Sequence, residues 1–183
     1  MRFIYACDLH GDKYKYKNLL EIAKNGKIKY LVLGGDLLPK ECGDRINEQK
    51  IFIEQYLNNY FEELKKNNIK CICILGNDDL EILDKNFNEI CKKHDNVFNI
   101  DQKKVSFGDI TFIGLSKVLD HPFGCKDRVV IEEGLEMPFQ LSNIILMWTQ
   151  NLGQNNYATC SMEWVLNWTG LIPFNFNLIL LLL

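Results

Sequence analysis

Apolar residues come in short blocks along the first two-thirds of the chain, and the blocks switch between two spacings. Residues 2–7 (RFIYAC), 28–33 (IKYLVL) and 69–75 (IKCICIL) are near-continuous apolar runs, each stopped by glycine or a polar cluster. Runs of that kind read as buried strands. Between the first two, Tyr16, Leu19, Leu20 and Ala23 share one face of a helix over 14–25, which Gly26 closes. Ile53, Tyr56, Leu57, Tyr60, Phe61 and Leu64 keep i, i+3, i+4 spacing and predict a long helix over about 47–67. A weaker helix is expected over about 80–93. Three short strands follow at 96–100, 103–107 and 110–115, the last two joined at Gly108-Asp109, and 143–147 (NIILM) reads as another.

Strands alternating with helices, and apolar along their whole length, imply a parallel sheet with helical crossovers. The fold class is therefore α/β for about the first 100 residues, with antiparallel hairpin character afterwards. No internal repeat is visible.

The 183 residues are 47% hydrophobic and 25% charged, with a net charge of −3. That balance excludes a disordered chain, a collagen and a multi-span membrane protein. It also argues against a protein whose main task is coating nucleic acid. The average hides a seam: of the 45 charged residues only Glu163 lies in 137–183, a stretch that also holds Trp148, Trp164 and Trp168. We therefore divide the chain into an α/β core, 1–136, and a charge-poor tail, 137–183, packed on or extending from the same domain. Seven cysteines form no C-x-x-C pair, and the apolar stretch before Asp8 is too short for a signal peptide. Leu178–Leu183 falls far below the ~20 residues needed to span a bilayer. The expectation is a reduced, cytoplasmic protein without a membrane partner.

The chemistry gathers where the three apolar runs stop. The first delivers Asp8-Leu9-His10, the second Gly35-Asp36, the third Gly76-Asn77-Asp78-Asp79. Parallel strands place their carboxyl ends on one sheet edge, where ligands bind. Asp8 and His10 are two residues apart, so extended backbone would point both the same way. Clustered carboxylates repel one another unless cations neutralise them. Oxygen and nitrogen donors without thiolate favour Mn, Fe or Zn, and a carboxylate between two half-sites can bridge two ions that grip a phosphoryl group. Each piece alone has a plainer reading: a solvated turn for Asp8 and His10, a turn or helix cap for Asn77, Asp78 and Asp79. Lys13, Lys15 and Lys17 read as the solvated face of the first helix. The convergence of three strand ends favours the metal site.

Asp8-x-His10, Gly35-Asp36 and Gly76-Asn77-Asp78-Asp79, in that order and about 28 and 41 residues apart, resemble the calcineurin-like metallophosphoesterase family. The wording GGDLLPK, GNDD and HPFGCKD resembles an uncharacterised bacterial and archaeal branch of it, over about residues 1–130. The resemblance implies an α/β/β/α sandwich and hydrolysis of a phosphomonoester or phosphodiester by hydroxide activated at a dinuclear centre. Two divalent ions would be held by Asp8, His10, Asp36 as the bridge and Asn77 through its amide oxygen. Asp78 stands where the family carries a histidine, and Asp79 matches its acidic position; these two are the candidate catalytic residues. The implied substrate is a phosphoester small molecule or nucleotide, with nucleic acid disfavoured for want of a basic stripe.

Downstream, the family's further histidine and its G-H-x-H pair have no counterpart. Only His94, in CKKHDN, and His121, beside Pro122, remain. Two explanations stay open for 137–183: an apolar cap or partner-binding tail, or a shifted or truncated reading frame. The alternative function is a binding module that keeps the fold without catalysis. Oligomeric state is not legible.

Overall fold

The computed structural model describes residues 2–41, 43–108, 110–119, 125, 127–130, 144–148 and 178–180. The first three apolar runs become β1 (Phe3–Ala6), β2 (Tyr30–Gly34) and β3 (Lys70–Ile74). With β4 (Val97–Asn99) and β10 (Leu178–Leu180) they form a parallel sheet ordered β10-β1-β2-β3-β4. Ile4 lies opposite Leu31, and Leu31 opposite Cys71.

Although β1, β2 and β3 are buried on both faces, the pleat still sorts their side chains. Ile4, Ala6, Leu31, Leu33, Cys71 and Cys73 pack with Tyr16, Leu19, Phe61 and Phe87 of the helical layer. Phe3, Tyr5, Val32, Ile72 and Ile74 meet Ile100 and Phe112 on the other side. That second layer is a sheet of β5 (Lys104–Phe107), β6 (Ile110–Leu115) and β9 (Ile144–Trp148), with β5 antiparallel and β9 parallel to β6. The layers approach closely at Gly114, where a Cβ would stand 2.5 Å from Cγ2 of Ile74. A short pair, β7 (Val118–Leu119) and β8 (Val129–Val130), lies apart.

Helix α1 (Lys13–Asn25) starts where the Asp12 carboxylate accepts from the backbone N–H groups of Tyr14 and Lys15, satisfying donors that a first turn leaves free. The long helix expected over 47–67 is α2 (Arg45–Ile51) continued by a π-helical stretch (Phe52–Leu57) and α3 (Asn58–Lys66). The wider π turns coincide with a ladder of Phe52, Tyr56 and Tyr60 that packs around Tyr16. The weaker helix is a 3₁₀ turn (Glu81–Leu83) leading into α4 (Asp84–Lys92).

The 96–100 segment joins the parallel sheet rather than the hairpin region. Its entry is pinned by Asn96, whose amide donates to the carbonyls of Phe61 and Ile69. Of the charge-poor stretch, β9 and β10 are described and pair with the two sheets. His121, Trp164, Trp168 and the division at residue 137 lie outside the described residues.

Candidate metal centre

Strands β1, β2 and β3 end side by side, and backbone bonds stitch the first two loops together. The N–H of Asp8 donates to the Gly35 carbonyl (3.1 Å), that of His10 to Asp36 (2.8 Å) and that of Gly11 to Leu37 (2.9 Å). Asp8, His10 and Asp36 all adopt left-handed backbone, with φ of 58°, 47° and 53°. Such a conformation is unfavourable for each non-glycine residue by ~1 kcal/mol or more. Three in one cluster mark a place where the surrounding structure imposes geometry for a purpose. The extended backbone expected for Asp8 and His10 is thus replaced by a tight turn, and the turn is what swings both side chains toward Asp36.

One donor atom from each of Asp8, His10 and Asp36 lies within 4.8 Å of the others. Asp36 is buried, and its Oδ1 accepts the Asp78 N–H at 2.9 Å. Burial, and then the charge of Asp79, push its carboxyl well above the usual carboxylate range. His10 is shifted down by burial and by Lys40, against the pull of Asp8 and Asp78. Asn77 is 2% exposed, yet neither its Oδ1 nor its Nδ2 has a hydrogen-bond partner. An orphaned buried amide costs about 1–3 kcal/mol. A cation at Oδ1 would satisfy that oxygen, and a cation among Asp8, His10 and Asp36 would relieve the crowded carboxylates. The donor set of two carboxylates, an imidazole and an amide oxygen fits a hard or borderline divalent ion.

The family model for calcineurin-like phosphoesterases matches residues 1–159. The chain belongs to that family. Two solved structures share its fold: the protein TT1561 of Thermus thermophilus, with a TM-score of 0.51 at 14% identity, covering 69% of this chain and 53% of that one, and a second with a TM-score of 0.51 at 16% identity, covering 69% and 57%. The chain spans little more than half the length of either. No curated protein matches it. The mixed α/β architecture of this phosphoesterase-family chain, with a parallel sheet flanked by helices, is the one its motifs imply.

Asp79 sits differently from its neighbours. It is fully buried, its Oδ2 accepts from the N–H groups of Leu37 (3.0 Å) and Gly76 (2.8 Å), and its Oδ1 accepts from Leu38 (2.8 Å). Burial raises its carboxyl to about 6, with the three amides and Arg128 pulling the other way. Its carboxylate therefore ties the β2 loop to the β3 loop. Asp78, by contrast, faces the site edge: its Oδ2 lies 4.0 Å from His10 Nδ1 and 3.7 Å from Lys40 Nζ, and its Oδ1 3.5 Å from Arg45.

Three further residues hold this edge, and none was singled out from the sequence for it. Gln49 is buried; its amide donates to the carbonyls of Pro39 and Asp78, and its oxygen accepts from the Leu80 N–H. The Tyr16 hydroxyl donates to the Leu37 carbonyl. Arg128, 1% exposed, donates from Nε to the Asp79 carbonyl and from its other nitrogens to Ser116 and Asp84. Gln49 did leave a signal, as a polar residue on the apolar face of a helix. Arg128 left none, since its stretch has no clear period. His94 lies away from the edge, between Asn58 Oδ1 (2.9 Å) and Glu62 Oε1 (3.1 Å).

Proposed function

We propose that this chain is a metal-dependent hydrolase of phosphoesters whose divalent ions would be held by Asp8, His10, Asp36 and Asn77. The observation that carries this reading is the meeting of three donors within 4.8 Å, together with a buried amide, in the adjoining β3 loop, that has no hydrogen-bond partner. Divalent ions held there would supply Lewis acidity toward a phosphoryl oxygen and a more acidic water. The protein's part is orientation. Left-handed turns aim Asp8, His10 and Asp36 inward, the Asp78 N–H fixes the Asp36 carboxylate, and Asp79 locks the loops that carry both Asp36 and Asn77. We assign Asp79 to positioning and Asp78 to the substrate side of the edge. The described cysteines Cys7, Cys71, Cys73, Cys91 and Cys125 are free thiols, which supports a reducing, cytoplasmic setting. No helix among the described residues is long and apolar enough to cross a membrane.

Manganese titration of the full chain, followed by assay with p-nitrophenyl phosphate and its bis ester, tests the reading. Metal-dependent turnover that disappears in Asp36→Asn is expected. Undiminished Mn²⁺ affinity in that variant would refute the site. A binding module without catalysis is the second reading, favoured by His10 being the one histidine the described residues bring to the cluster. Stoichiometric metal with no hydrolysis of either ester would select it.

A further inference from the structure

The acidic group at the substrate side of this edge is flanked by two cations. Asp78 Oδ2 is 3.7 Å from Lys40 Nζ, and Asp78 Oδ1 is 3.5 Å from an Arg45 nitrogen that also donates to the Asp78 carbonyl. Lys40 reaches the metal donors as well, with Nζ 3.3 Å from His10 Nε2. Lys40 follows Asp36 in the β2 loop, and Arg45 opens α2, so both are delivered by the segment that carries the central carboxylate. Arg45 has donor capacity to spare: its buried Nε has no hydrogen-bond partner.

Charge balance says what this arrangement suits. One divalent ion would neutralise the carboxylates of Asp8 and Asp36. Lys40 and Arg45 against Asp78 then leave one surplus positive charge, and a second ion would add to it. With both ions in place the surplus is about three, which an anion with two negative charges matches better than one with a single charge. An arginine fork beside a flexible ammonium is also the donor set that fits the outer oxygens of a terminal phosphate. A carboxylate in this position would by itself repel phosphate. Paired on both sides, it serves to hold the cations.

We propose that Lys40 and Arg45, bracketed by Asp78, form an anion clamp that selects a phosphomonoester dianion over a phosphodiester. The proposal rests on the metal-site reading for its place in hydrolysis and for its charge surplus, while Lys40 and Arg45 themselves are protein groups that can be tested without metal.

The test is calorimetric titration of the full chain, Mn²⁺-loaded and metal-free, with inorganic phosphate and with dimethyl phosphate. Wild type should bind phosphate at least about tenfold more tightly than the diester anion, a difference of about 1.4 kcal/mol. Lys40→Met and Arg45→Gln should each weaken phosphate binding by about tenfold or more and shrink that preference, while Mn²⁺ stoichiometry stays unchanged. Arg45→Lys, which keeps the charge and the fold of the first helical turn, should lie between. Equal phosphate affinity in wild type, Lys40→Met and Arg45→Gln overturns the clamp, as does a wild-type preference for dimethyl phosphate. If wild type takes up no Mn²⁺, the hydrolase reading falls, whereas phosphate capture by the metal-free chain that depends on Lys40 and Arg45 still upholds the clamp.

Discussion

Gly76 is the point at which the β3 loop passes the central carboxylate, and adding one methyl group there tests the site's geometry. A Cβ at Gly76 would lie 2.3 Å from both the backbone N and the Oδ1 of Asp36, and 2.9 Å from the Gly35 carbonyl carbon. Real Cβ contacts essentially never fall under 3.0 Å, so the Asp36 loop or the Asn77 loop must move by about 0.7 Å at the least. Neither can yield by a rotamer change, because the close atoms are backbone or a carboxylate pinned by the Asp78 N–H. Overpacking of this kind costs about 1–3 kcal/mol. A displacement approaching 1 Å between ligands is worth up to about a hundredfold where geometry controls chemistry. Gly76→Ala should therefore lower the urea midpoint by an amount equivalent to about 1–3 kcal/mol and weaken Mn²⁺ binding by at least about tenfold. Gly43→Ala is the control, since a Cβ there meets nothing within 4 Å. If Gly76→Ala matches Gly43→Ala in both readouts, the two loops do not meet as described and the centre built on them fails.

Asp36→Asn should abolish Mn²⁺ binding in a calorimetric titration yet raise the thermal midpoint of the metal-free chain. The amide keeps the acceptor for the Asp78 N–H and removes a buried charge set against Asp79. Asp79→Ala should cost at least about 3 kcal/mol in urea unfolding, because three buried amides lose their acceptor at once. It should weaken Mn²⁺ affinity as well; unaltered stability with lost turnover would instead return Asp79 to a catalytic role. Arg128→Met should cost about 2–3 kcal/mol, since the Asp79 carbonyl and the Ser116 hydroxyl lose a buried donor while Asp84 stays partly solvated. A urea midpoint equal to wild type would show that Arg128 does not tie the 116–130 segment to the β3 loop.

What could be read from the sequence was whatever depends on a strand's two ends. Near-continuous apolar runs of five to seven residues fix buried parallel strands, and the residues just past each run must then share an edge. Asp8, His10 and Asp36 share one cluster on that ground, and Asn77 belongs to the loop that adjoins it. The turn that aims them was not legible, because left-handed backbone at an aspartate or histidine is imposed by the bonds from Asp8, His10 and Gly11 to the β2 loop, a partner some 27 residues away in sequence. Asp79 shows a related limit. Its place beside Asn77 fits a catalytic acid and a loop tie equally well, and only the three amides at 2.8–3.0 Å separate the two. Gln49 and Arg128 act across 29 and 49 residues on the same short turn, so local spacing says little about them.

The edge is held together by groups that would each be unfavourable alone. Asp36 and Asp79 are carboxylates in the interior, Asn77 is an amide without a hydrogen-bond partner, and three residues in two turns have left-handed backbone. They are sustained by apolar burial on both faces of β1, β2 and β3, which fixes the strand ends whatever residues the loops carry. The two carboxylates then divide the work by their partners. Asp79 faces three amides and Arg128 and joins the loops, whereas Asp36 keeps one amide bond and lies with Asp8 and His10 in the donor cluster. One short sequence block, GNDD, thus supplies a buried amide without a hydrogen-bond partner, a carboxylate that gathers cations and a carboxylate that fixes the loop. Since each does so through a different neighbour, alanine at Asn77, at Asp78 and at Asp79 should act chiefly on metal affinity, anion affinity and stability respectively, rather than lower all three equally.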